Sequence, residues 1–170
     1  MSAKIRGLGI GILIIGVWGA MVPFVGPAFG YRMGNTPAWT WTESGVTVHL
    51  IPGIAAVLGG ALMLGTVRSR VRLGTLLALA GGAWFILGPS IRPAWAGGGG
   101  MMMMGQSVWS QIAASVGYHY GTGVAVAILA AYALGALAAT DRARRYDAPA
   151  TGRSRERVST APSTNDRVSV

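Results

Sequence analysis

Gly26 to Gly53 reads GPAFGYRMGNTPAWTWTESGVTVHLIPG, and this stretch decides the fold. One apolar run of the chain ends at Gly26-Pro27, and a second apolar run begins shortly before Gly53. The residues between the two runs are aromatic and nearly uncharged, and they include Trp39 and Trp41. Tryptophans at the ends of apolar runs are typical of the membrane–water interface, so the stretch predicts a helical hairpin that turns over at a membrane surface.

The composition of the whole chain also indicates a membrane protein. Apolar residues make up 52% of the 170 residues, charged residues make up only 11%, and glycine occurs 27 times. This balance suits lipid-facing helices that pack closely through small residues. The chain has no cysteine, which excludes disulfides, thiolate metal sites and a cysteine nucleophile.

Four apolar runs are long enough to cross a bilayer, and they cover about residues 7–26, 46–66, 73–91 and 112–139. Basic residues precede the first run, crowd the short connection between the second and third runs, and follow the fourth. They are Lys4, Arg6, Arg68, Arg70, Arg72, Arg142, Arg144 and Arg145. By the positive-inside rule, both termini lie in the cytoplasm. We therefore predict an all-α, four-helix, multi-pass protein of the bacterial cytoplasmic (inner) membrane, formed by residues 1–140.

Two local alternatives stay open. A basic start and an apolar run that contains Gly19 and Ala20 also fit a cleavable signal peptide. Pro52 lies too deep in its run for a first-turn proline, so it either kinks the second helix or moves the start of that helix nearer to Ile51.

The two halves of the chain resemble each other when their Gly-Pro and histidine positions are aligned. The aligned positions are Gly19 with Gly81, Ala20 with Gly82, Gly26-Pro27 with Gly88-Pro89, His49 with His119, and Gly53 with Gly123. The interval from proline to histidine is longer in the second half by the length of the tract 97–104, which fits an insertion. We predict two tandem hairpins related by a pseudo-two-fold axis along the membrane normal. Chance similarity between Gly- and Ala-rich helices is the alternative.

A helix that ends at a proline, an aromatic loop, and a helix that opens on a polar residue shortly before a glycine resemble the SPW-repeat proteins. These are small bacterial membrane proteins whose function is not established. The resemblance covers about residues 7–139, with Gly-Pro-Ala at 26–28 and Gly-Pro-Ser at 88–90 in place of Ser-Pro-Trp. It implies a fold and a location in the membrane, not a reaction.

The candidate site lies at the predicted outer rim, where the ionisable side chains are Arg32, Glu43, His49, Arg92 and His119. If the repeat is real, both histidines lie at the same depth, where neutral imidazoles share a metal ion or face a haem from opposite sides. The alternative is that each histidine begins a helix and hydrogen-bonds loop carbonyls. We expect Glu43 to pair with Arg32 or Arg92 rather than to act as an acid–base catalyst.

Four consecutive methionines form a second candidate metal site: Met101, Met102, Met103 and Met104. Thioethers bind soft metal ions such as copper, so this tract is a candidate accessory to the histidine pair. Sequence drift in a low-complexity external loop is the alternative.

The six tryptophans fall into two groups by their position along the chain. An outer aromatic belt accounts for Trp39, Trp41, Trp95 and Trp109. Trp18 and Trp84 instead fall within predicted helices, where they fill the bundle or meet lipid.

Small residues four apart predict flat helix faces for contacts within the bundle, with a second copy, or with another membrane protein. These pairs are Gly7/Gly11, Ala55/Gly59, Ala56/Gly60, Ala61/Gly65, Gly117/Gly121 and Ala131/Gly135.

Residues 141–170 are polar and predict a disordered cytoplasmic tail. Within it, Arg142, Arg144 and Arg145 are expected to contact anionic lipid headgroups. Although the formal net charge is +9, we predict no nucleic-acid partner, because the basic residues line no single surface.

No catalytic constellation occurs in the sequence, so we expect a structural or protein-interaction component of the cytoplasmic membrane rather than an enzyme. The predicted spans contain no Asp, Glu, Lys or Arg, which argues against ion-coupled transport. Two other classes stay open: an outer-face haem- or metal-binding protein, and a channel or small-solute permease.

Overall fold

The structure is a computed structural model that describes residues 3–32, 36–92, 94 and 108–147. The described helices are α1 (Ala3–Val25), α2 (Ile51–Met63), α3 (Arg68–Ile91), α4 (Val108–Ser115) and α5 (Gly121–Asp147). A 3-10 turn, Gly26–Phe29, follows α1. Two π-helical segments, Gly45–Leu50 and Val116–Tyr120, lead directly into α2 and α5. No strand occurs among these described residues, which confirms the predicted all-α class.

Four helical stretches are long and apolar enough to cross a membrane: Ala3–Phe29, Gly45–Met63, Arg68–Ile91 and Ile112–Tyr146. They overlap all four predicted runs, and the third begins five residues earlier than predicted, at Arg68. The predicted boundary of the tail is corrected, because residues 141–147 continue α5 as helix. Arg144 and Arg145 lie in its last turn, where positive charge stabilises a helix C-terminus. Residues 148–170, which make up the rest of the predicted tail, lie outside the described residues.

Pro52 lies directly after the π-helical turn that precedes α2. Proline has no N–H to donate, and in an α-helix its ring crowds the carbonyl four residues earlier. The N–H of Ile51 reaches back five residues, to the carbonyl of Val46, so the helix widens at this point. Regular α-helix begins at Ile51, with Pro52 in the first turn. Helical structure already begins at Gly45, and the irregularity at Pro52 is the π-helical segment directly before α2.

The chain divides into two compact units, residues 1–137 and 138–170, and the packing described here is that of the first unit. Glycines bring the helix backbones of this unit together. A Cβ atom on Gly53 of α2 would lie 2.7 Å from the backbone nitrogen of Ala20 on α1. On Gly59 of α2 it would lie 2.6 Å from the carbonyl oxygen of Gly74 on α3. Such close contacts supply the packing energy that apolar burial alone does not supply in lipid.

Helix α5 completes the bundle by contacting both α1 and α3. A Cβ atom on Gly19 of α1 would lie 2.9 Å from the Thr122 methyl group on α5. A Cβ atom on Gly82 of α3 would lie 3.0 Å from the Gly123 carbonyl. The helices of the first unit therefore form a closed ring, with α1 and α3 each packed between α2 and α5. Buried side chains from all four fill its centre: Ile5, Ile12, Ala56, Met63, Val71, Ala78, Val126, Ala130, Ala133 and Leu137.

Candidate functional site

His49 and His119 lie side by side in the folded protein. Their ring centroids are 4.4 Å apart, and the ring planes are inclined by 42°. Both side chains are buried, with 6% and 4% of their surfaces exposed. Each histidine belongs to a π-helical segment, His49 to the segment before α2 and His119 to the segment before α5. The fold therefore brings together two residues that lie 70 positions apart in the sequence.

A polar cavity of about 80 Å³ opens beside the two rings. Hydroxyl-bearing residues of the loop after α1 and of the segment before α2 form part of its wall: Thr36, Thr40, Thr42 and Ser44. Pro23 and Pro27 at the end of the first candidate span line another part. A cavity of this volume holds several water molecules or a small hydrated ion.

Two ring nitrogens of the pair, Nε2 of His49 and Nδ1 of His119, are buried and have no hydrogen-bond partner within the described part of the chain. Nδ1 of His49 lies 3.5 Å from the Ser44 carbonyl oxygen, at the limit of hydrogen bonding. A buried polar atom without a partner costs about 1–3 kcal/mol. Within the described residues, this long contact is the one hydrogen bond of the kind expected if the histidines only cap their helices.

The separation of the rings bears on which cofactor fits. An iron ion held by two imidazoles from opposite sides, about 2 Å from each nitrogen, would keep the ring centroids about 6 Å apart. The observed 4.4 Å leaves no room for a porphyrin between the rings, so a haem held from opposite sides does not fit this arrangement. One ion bound by both rings on the same side fits it.

Two tyrosines that sequence reasoning did not single out support the site. Tyr118 packs its ring against His49 with centroids 5.6 Å apart, and its hydroxyl donates to the Tyr31 carbonyl at 2.8 Å. The Tyr31 hydroxyl donates in turn to the Ala113 carbonyl, also at 2.8 Å. Burial raises the pKa of the Tyr31 hydroxyl, which keeps this donor protonated at neutral pH. The loop after α1 is thereby hydrogen-bonded to α4, which leads into the π-helical segment of His119.

Trp18 and Trp84 donate hydrogen bonds to the π-helical segments, a role that the sequence did not reveal. The indole Nε1 of Trp84 on α3 donates to the Thr47 carbonyl at 2.9 Å. The indole Nε1 of Trp18 on α1 donates to the Gly117 carbonyl at 3.2 Å. Each acceptor lies two residues before one of the histidines.

Glu43 forms an ion pair with Arg92, one of its two expected partners. Its Oε2 accepts from Nη2 of Arg92 at 2.9 Å and from Nε at 3.2 Å. Both side chains are partly exposed, so such a pair contributes at most about 1 kcal/mol. The pair joins the segment before α2 to the end of α3.

The other candidate metal ligands predicted from the sequence are four consecutive methionines. The predicted second metal site lies entirely outside the described residues, and it comprises Met101, Met102, Met103 and Met104. Trp95 also lies outside them. No group of three or more His, Cys, Asp or Glu side chains suited to a metal ion occurs among the residues that the structure describes. From this part of the chain, the cavity thus offers two imidazoles together with hydroxyl groups.

The chain matches no family model, no curated protein and no solved structure.

Proposed function

We propose that the protein is a four-span protein of the bacterial cytoplasmic membrane that binds a divalent transition-metal ion between His49 and His119. The observation that carries the proposal is the pair of buried ring nitrogens without partners in the described chain, beside a polar cavity. Neutral imidazole is the commonest metal ligand in proteins and suits zinc, copper and nickel. With two protein ligands, the ion keeps positions open for water or the neighbouring hydroxyl groups.

The distance between the rings is compatible with one shared ion. Two imidazoles bound to one ion at an angle of about 90° place their centroids about 4.5 Å apart, whereas a tetrahedral angle places them about 5 Å apart. The observed separation is 4.4 Å. Angles near 90° are typical of tetragonal Cu(II) and Ni(II) sites. Both geometries lie within about 1 Å of the observed separation, so Cu(II), Ni(II) and Zn²⁺ are all candidate ions.

The metal proposal is tested with Cu(II) and the purified full-length protein in detergent. We expect one ion per chain, with two nitrogen ligands resolved by electron paramagnetic resonance, because the chain has only two histidines and no cysteine. Changing either His49→Gln or His119→Gln should weaken binding at least about tenfold. Wild-type protein that binds neither Cu(II) nor Ni(II), or histidine variants that bind as wild type does, would contradict the proposal.

A matched variant separates the histidine pair from the methionine tract. Leucine in place of all four residues of the tract removes the thioethers and keeps the tract apolar. If the histidines form the site, this variant should bind Cu(II) with unchanged affinity and the same two-nitrogen spectrum. Loss of binding in this variant, with binding retained in His49→Gln, would show that the methionine tract binds the ion and the histidine pair does not.

The proposal includes two similar hairpins, and contacts at aligned positions support it. Aligned residues make equivalent close approaches, one within each hairpin and one between the hairpins. Gly53 meets Ala20 as Gly123 meets Gly82, and Gly81 meets Pro52 as Gly19 meets Thr122. Both histidines also occupy the next-to-last position of a π-helical segment. These matching contacts support a repeat of the hairpin.

The proposed topology places both termini in the cytoplasm and the histidine pair at the outer face. The chain lacks cysteine, so a single introduced cysteine reports the side of the membrane on which it lies. We expect a membrane-impermeant maleimide to label Ala28→Cys in intact cells and to label Thr66→Cys only after the cells are opened. Both positions are exposed in the structure. Labelling of Thr66→Cys in intact cells would reverse the topology.

A further inference from the structure

We infer that Trp18 and Trp84 are positioning residues for the histidine pair, because each indole donates a hydrogen bond to a carbonyl of one π-helical segment, two residues before a histidine. The inference rests on the proposed function only in its metal-binding readout. The hydrogen bonds themselves join residues of the chain.

The Thr47 carbonyl explains why Trp84 is needed. In an α-helix this carbonyl would accept from the N–H of Ile51, but that N–H donates to Val46. In a π-helical turn it would accept from residue 52, which is proline and has no N–H. Neither helical donor serves this carbonyl, and the indole of Trp84 donates to it at 2.9 Å. Trp84 therefore compensates for Pro52.

In the second half of the bundle, the carbonyl at the aligned position also accepts hydrogen bonds from side chains. The N–H of Gly121 donates to Val116, five residues back, so the helix is again widened. The Gly117 carbonyl, which aligns with that of Thr47, accepts from the Thr122 hydroxyl at 2.7 Å and from the Trp18 indole at 3.2 Å. Thr122 occupies the position that aligns with Pro52. In both halves a side-chain donor thus serves the carbonyl two residues before the histidine.

These hydrogen bonds set where the imidazoles lie. A π-helical turn holds about one more residue than an α-helical turn. Conversion of the π-helical turn to an α-helical turn would therefore rotate the preceding residues about the helix axis by about 100°. His49 lies within this segment and would be turned away from His119. Each bond also crosses between hairpins, since Trp84 on α3 holds the turn before α2 and Trp18 on α1 holds the turn before α5. The two indoles therefore fix the two histidines relative to each other.

The test measures how fast diethyl pyrocarbonate modifies each histidine in the metal-free, full-length protein. Mass spectrometry of peptides resolves the two sites. We expect Trp84→Phe to increase the modification rate of His49 about tenfold, as loss of one hydrogen bond implies, and to change His119 much less. We expect Trp18→Phe to increase the modification rate of His119 and to change that of His49 much less. The matched control is Trp109→Phe, since Trp109 is 79% exposed, and it should leave both rates unchanged.

A second variant tests the pairing of Trp84 with Pro52. Pro52→Ala restores an N–H that can serve the Thr47 carbonyl, so Trp84→Phe should have a smaller effect on His49 in that background. The effect of Trp18→Phe on His119 should be the same in both backgrounds. Unchanged reactivity of His49 in Trp84→Phe, or an equal increase at both histidines, would overturn the inference.

The copper affinity of the same variants separates this inference from the proposed function. If both hold, Trp84→Phe should weaken Cu(II) binding by about tenfold or more, as changes that displace metal ligands do. If the wild-type protein binds no Cu(II) or Ni(II), the proposed function fails, and the site-specific modification rates still decide the role of the indoles.

Discussion

Replacing Gly59 by leucine is expected to lower the free energy of unfolding by about 3 kcal/mol, because it forces α2 away from α3. The new Cβ atom would lie 2.6 Å from the Gly74 carbonyl oxygen and 2.7 Å from the Ala78 nitrogen. Both are backbone atoms, so no side-chain rotation relieves the overlap and the helices themselves must move apart. Equilibrium unfolding in mixed detergent micelles, followed by circular dichroism, measures the loss.

Gly135→Leu is the matched control for this prediction. Gly135 also belongs to a pair of small residues four apart, but nothing lies within 4 Å of a Cβ atom placed there. Leucine has the higher helix propensity, so this variant should be equal to wild type in stability or more stable by up to about 1 kcal/mol. Equal losses in both variants would show that Gly59 makes no special contact.

Replacing both His49 and His119 by leucine is expected to stabilise the metal-free protein by about 2 kcal/mol. The two imidazoles bury nitrogens that have no hydrogen-bond partner among the described residues, and an apolar side chain of similar size removes that cost. Natural proteins keep such costs where function requires them. Unfolding is measured in the presence of a chelator, so that bound metal does not contribute.

Added Cu(II) should reverse the order of stability. An ion that binds only the folded state stabilises it in proportion to the logarithm of its concentration over the dissociation constant. Wild type should therefore gain stability on titration with Cu(II), and the double leucine variant should not. If the double variant is instead less stable than wild type in the presence of the chelator, the histidines serve the packing of the bundle and not a ligand.

The helices and the pairing of the two histidines could largely be predicted from the sequence. Apolar runs long enough to cross a bilayer are a local property, and they marked four helical stretches. The deep position of Pro52 indicated an irregular helix start, since proline removes a donor wherever the chain folds. The alignment of His49 with His119 predicted that both lie at one depth, and the structure places their rings 4.4 Å apart.

The hydrogen bonds that hold the site could not be predicted in this way. Trp18 and Trp84 are indistinguishable in sequence from tryptophans that face lipid. Their indoles matter because Gly117 and Thr47 present carbonyls to them from another helix. Tyr31 likewise reaches a carbonyl 82 residues away in the sequence. Contacts of this kind depend on the relative rotation of two helices, which no single segment encodes.

The sequence by itself determined that the chain forms helices of membrane-spanning length, because the match between an apolar run and the thickness of a bilayer needs no partner. It also determined that prolines, aromatic residues and histidines lie at the ends of the apolar runs, through their order along the chain. Only the tertiary structure decided which small residues make contacts. Gly59 and Gly135 belong to the same four-residue pattern, yet one meets a neighbouring backbone and the other meets open space. The periodicity of a helix defines a face, and only packing selects the helix that covers it.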